Sequence, residues 1–84
     1  MTDHVTLTRN QSSDAVAFIV QATADSLEAD KRALLANATR QALGYRGGRY
    51  RPEQVAEEVY QACGVELHPD VVAAALGRAA ATAP

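Results

Sequence analysis

Residues 51–78 read RPEQVAEEVYQACGVELHPDVVAAALGR, and their punctuation decides the fold. Pro52 opens a helix, because proline's missing N–H falls where a helix has no use for one. Glu53 adds negative charge to the positive end of the helix dipole. Val55, Ala56, Val59, Tyr60, Ala62 and Cys63 recur at helical spacing as an apolar side, and Glu53, Gln54, Glu57, Glu58 and Gln61 form the wet side. Gly64 then stops the helix where a left-handed backbone is required. Val65 and Leu67 turn back to the core from the connection. His68-Pro69-Asp70 starts a second helix, anchored by Val72 and Leu76, four apart on one face.

The helix, Gly-centred turn and helix over 51–80 resemble a helix-turn-helix of the tri-helical and winged-helix kind. Ala56 and Val59 carry the match on the first helix, Gly64, Val65 and Leu67 in the turn, and Pro69, Val72 and Leu76 on the second. The resemblance covers about a third of the chain and implies DNA binding through the second helix. Two departures weigh against that function. Only a few Ala-rich residues follow the second helix, too few for a wing. The open face of that helix carries Asp70, Ala73, Ala74, Gly77 and Arg78, of which Arg78 alone can donate to a base edge.

The chain has 84 residues, enough for one domain. A domain of this size buries only about 60–65% of the surface its unfolded chain exposes. Hydrophobic residues make up 48%, but alanine dominates them, and there is no Trp. A thin core of this kind calls for a staple. The single cysteine excludes an internal disulfide, so self-association is the expected device. The net charge of −2 speaks against a generic nucleic-acid binder. No apolar run or signal core is present, so the expected location is cytoplasmic, with no membrane partner. The Ala-rich, Arg-over-Lys style resembles small proteins of high-GC actinobacteria and their phages.

Upstream, 1–11 is expected to be a flexible or extended arm, with Val5 and Leu7 sharing one face, and 12–84 a single helical domain. Ser12, Ser13 and Asp14 offer helix caps. Val16, Ile19, Val20 and Thr23 follow at helical spacing, with Phe18 beside them. Asp25-Ser26-Leu27-Glu28 reads as a capping box, and Leu27, Leu34, Leu35, Ala38, Ala42 and Leu43 carry the next stripe, ended by Gly44. The pattern predicts two helices, about 13–24 and 26–43, with one long bent helix as the alternative. The fold class is all-α, a small bundle of three or four helices with a helix-turn-helix-like C-terminal half.

The Gly-rich stretch 44–52 is expected to be the one long loop and is the most chemically loaded. Arg46, Arg49 and Arg51, with Arg40 one turn back, offer forked donors to phosphate, and Tyr45 and Tyr50 offer rings on which bases stack. The same residues also suit a solvated loop whose arginines pair with Glu53, Glu57 and Glu58, or a protein contact. No P-loop or dinucleotide fingerprint is present. Cys63, His68 and Asp70 are metal-capable types, but three or four convergent ligands are needed. Cys63 reads as a small core residue. Glu57 and Glu58 diverge by about 100° on a helix and cannot share a proton. No enzyme, cofactor, metal or small-molecule substrate is expected. In the last helix Ala73, Gly77 and Ala81 lie four apart, a spacing that admits another helix closely, either within the domain or from another chain.

Two functions follow. The favoured one is a non-catalytic interaction module that binds a protein partner or itself as a homo-oligomer through Ala73, Gly77, Ala81, Tyr45 and Tyr50. The alternative is a small DNA-binding regulator that contacts phosphate through Arg40, Arg46, Arg49, Arg51 and Arg78 and stacks Tyr45 and Tyr50.

Overall fold

A computed structural model of the chain describes residues 4–44 and 47–83. In order these form strand β1 (Val5–Leu7), helix α1 (Arg9–Thr23), a 3-10 turn (Ala24–Ser26), helix α2 (Ala29–Leu43), strand β2 (Gly48–Tyr50), helix α3 (Pro52–Cys63) and helix α4 (Pro69–Ala80). The protein is a four-helix, mostly α domain with one small two-stranded ribbon. The helices close a ring: α1 packs on α2 and α4, and α3 packs on α2 and α4.

The C-terminal half follows its punctuation. Pro52 and Pro69 open their helices, and Gly64 ends α3 with φ 75 while its N–H reaches the Tyr60 carbonyl. The buried side of α3 is Val55, Ala56 and Val59, and that of α4 is Val72, Ala75, Leu76 and Ala79. Tyr60 and Ala62, expected on the apolar side, are exposed instead. They lie at the borders of the stripe, and Val55, Ala56 and Val59, with Pro52 at the start of the helix, are its buried residues. Cys63 is half-buried against the core, its thiol donating to the Val59 carbonyl at 3.2 Å.

Residues 13–43 form two helices, with altered ends. The first begins at Arg9, not at 13, because Thr8 is the cap. Thr8 Oγ1 accepts from the Gln11 N–H at 3.2 Å, and Gln11 Oε1 accepts from the Thr8 N–H at 2.9 Å, a reciprocal capping box. Ser12, expected as a cap, lies inside the helix and is buried. Asp25-Ser26-Leu27-Glu28 is no capping box. Asp25 and Ser26 belong to the 3-10 turn, and Glu28 caps α2 without a side-chain bond. Leu35, Ala38, Thr39 and Leu43 face inward. Leu34 lies about 100° around the helix from Leu35 and is 49% exposed.

The N-terminal arm and the Gly-rich loop meet. Val5 pairs with Tyr50, Thr6 with Arg49 and Leu7 with Gly48, antiparallel. The segment expected as an arm is therefore extended only over three residues, with Leu7 buried in the core. The stretch expected as one long loop contains a strand. Gly47 is the hinge of the arrangement. Its φ is +78, and a Cβ there would sit 2.5 Å from the Leu7 carbonyl oxygen, so only glycine lets the two backbones come this close.

Candidate interaction surface

Four helices in a ring leave each with an outer face, and the least polar of these belongs to α4. Its inner side is committed to the core through Val72, Ala75, Leu76 and Ala79. Asp70, Ala73, Ala74, Gly77, Arg78 and Ala81 are exposed. The stripe Ala73–Gly77–Ala81 is thus not used for packing within the domain. A Cβ built on Gly77 would meet nothing within 4 Å. Beside the stripe runs a largely apolar groove between α1 and α4, lined by Phe18, Ala22, Val71, Ala74, Ala75 and Arg78. Phe18 is half-buried, and the Arg78 guanidinium lies over its ring, 4.2 Å from the centroid. That stacking fixes the head of Arg78 by cation–π attraction. It was invisible in the sequence, where the two residues lie sixty positions apart.

The arginines set apart by the sequence do not form one cluster with a single role. Arg40 is exposed on α2 and donates to Asn37 Oδ1 at 3.2 Å. Arg49 is exposed on β2, and Arg51 is the N-cap residue of α3. The Arg51 Nε is buried without a hydrogen-bond partner among the described residues. Among the described residues no arginine pairs with Glu53, Glu57 or Glu58, and the one approach of a basic-type to an acidic side chain is His68 Nδ1 to Asp70 Oδ2 at 3.7 Å. Tyr50 is tethered, its hydroxyl donating to the Leu43 carbonyl, and its ring is half-buried against the core. This contact closes the edge of the core. Tyr45 and Arg46 lie outside the described residues.

Two further features surround the α3–α4 unit. Glu53, Glu57 and Glu66 line a groove with Tyr60, Leu67 and Pro69. A helix-turn-helix docks with the first residues of its second helix at the bases and its first helix across the backbone. Here that end carries Glu66, Asp70 and the acidic groove, the wrong sign for phosphate. His68 caps α4 by accepting the Asp70 N–H on Nδ1 at 3.2 Å. The lone pair used there must be free of a proton, so this cap and a charged His68–Asp70 pair exclude one another. Among the described residues no three His, Cys, Asp or Glu side chains gather as a metal site, and no helix is long and apolar enough to cross a membrane.

No family model, curated protein or solved structure matches the chain.

Proposed function

We propose that the protein is a non-catalytic, cytoplasmic interaction module that docks another protein surface on the outer face of α4. The observation that carries this reading is the exposed small-residue face, Ala73, Ala74 and Gly77, bordered by the Phe18 groove. Such a face loses little side-chain entropy on contact and admits a helix closely. The acidic groove of the α3–α4 unit and the tethered Tyr50 favour it over the DNA reading.

The test is a photo-crosslinking amino acid placed at Ala73 in cells, with Gln21 on α1 as the exposed control. A discrete adduct from position 73 and none from position 21 is the expected result. No adduct from position 73 would remove the reading.

A DNA-binding regulator retains one supporting observation, the exposed Arg49 beside Arg51. With about three phosphate contacts, the log–log salt slope would be near −2.7 and affinity would fall roughly fortyfold between about 50 and 200 mM salt. Fluorescence anisotropy on a random duplex measures this directly. A steep salt dependence abolished by Arg46, Arg49 and Arg51 to Ala would establish the DNA function instead.

A further inference from the structure

The outer face of α4 is complementary to itself. Asp70, Ala74 and Arg78 lie four apart on one ridge, and Ala73, Gly77 and Ala81 form the ridge beside it, all exposed. The first ridge is acidic at its start, small at its middle and basic at its end. The second is small throughout. Asp70 and Arg78 are separated by eight residues, about 12 Å along the axis. Reversing the helix about Ala74 exchanges the two ends, so a second α4 running antiparallel brings Asp70 of each copy level with Arg78 of the other.

We infer that the partner of this face is a second copy of the chain, held by an antiparallel α4–α4 contact around a two-fold axis near Ala74. The inference rests on the proposed docking role of α4. Packing of four-apart ridges sets two helices at about −50°, 8–10 Å apart. The alanines and Gly77 allow the closer end of that range. A contact of this kind uses the same patch on both copies and closes, as two-fold symmetry requires.

The charges are available for it. The Asp70 side chain is 93% exposed, and its one basic-type neighbour among the described residues is the His68 Nδ1, 3.7 Å away. Arg78 has no carboxylate within ion-pair distance among the described residues. The guanidinium lies over the Phe18 ring, Arg78 is exposed, and a planar five-donor head stacked on a ring can still donate to a carboxylate. The antiparallel arrangement also sets the positive end of each helix dipole beside the negative end of the other. The contact is small, so the dimer is expected to be weak, with Kd on the order of 10–100 µM.

Charge reversal tests it by sedimentation equilibrium. Wild type should dimerise over that range. D70R and R78D should each be weakened about tenfold or more, because each turns two attractive pairs into two repulsive ones. A mixture of D70R and R78D should restore a dimer containing one of each, since every pair is then opposite in sign. Both variants change exposed side chains, and helicity by circular dichroism checks that they fold. A monomeric wild type at about 500 µM, well above the expected Kd, or a dimer unaffected by either reversal, would overturn the proposal. The Ala73 crosslink separates this failure from failure of the docking reading. An adduct of twice the chain mass supports the second copy. An adduct with another protein overturns the second copy and leaves docking in place, and no adduct overturns both.

Discussion

Gly47 and Ser12 show how differently single positions are constrained. At Gly47 a methyl group would lie 2.5 Å from the Leu7 carbonyl oxygen and 2.8 Å from the Thr8 carbonyl carbon, at φ +78. Both neighbours are backbone and cannot swing aside. Gly47→Ala is therefore expected to cost more than the roughly 1–2 kcal/mol of left-handed strain alone, read as a lower urea midpoint. Gly64, at φ +75 with nothing within 4 Å, is the control and should lose only the strain. Ser12 is the opposite case. It is 1% exposed, and its Oγ has no hydrogen-bond partner among the described residues. Ser12→Ala removes an unsatisfied hydroxyl from the interior and is expected to be neutral or to stabilise by up to about 1 kcal/mol. A loss of stability would mean that the hydroxyl is bonded in solution.

Among the elements, the ends of α1 and α4 are joined by one side chain. Gln11 Nε2 donates to the Ala80 carbonyl at 3.3 Å and the Thr82 carbonyl at 3.0 Å, while its Oε1 completes the Thr8 capping box. Thr82 Oγ1 adds a bond to Asp14 Oδ2 at 3.0 Å. One glutamine thus caps the start of one helix and satisfies carbonyls at the end of another. Gln11→Ala should destabilise by about 1–3 kcal/mol and speed amide exchange in the last turn of α4. Unchanged exchange there would separate the two roles. The same residue explains what sequence reading missed. Thr8-x-x-Gln11 is a capping signature, but Gln11 and Ser12 occupy buried positions that an apolar period does not mark. Pro52, Gly64 and Pro69 act on their own neighbours, so α3, the turn and α4 were legible to within a residue. The ribbon was not, because Val5–Tyr50 pairing spans the whole first half of the chain and three residues give no period to detect. Leu34 and Leu35 are adjacent, and periodicity alone did not decide which faced inward. Of the candidate site, the Ala73–Gly77 stripe was legible, whereas the Phe18 groove and the Arg78 stack arise only when α1 and α4 meet.

For the whole molecule, the question is how so thin a core is held. The completely buried large residues are aliphatic: Ile19, Leu35, Leu43, Leu76, Val55, Val59 and Val72. Each contributes about 1.5–3 kcal/mol by burial, none adds the larger area of an aromatic ring, and domains of this size bury a small share of their surface. Modest stability is the consequence, and contact at α4 would add to it by mass action. The midpoint of thermal unfolding should therefore rise with protein concentration across the dimer range, and D70R should abolish that rise. A midpoint independent of concentration would argue against a stabilising second copy.

That a second copy of the chain docks on the outer face of α4 is tested by sedimentation equilibrium of the equimolar D70R and R78D mixture beside each variant alone. The expected result at about 100 µM is a higher average molecular weight in the mixture than in either separate sample. The same molecular weight in all three samples would contradict it.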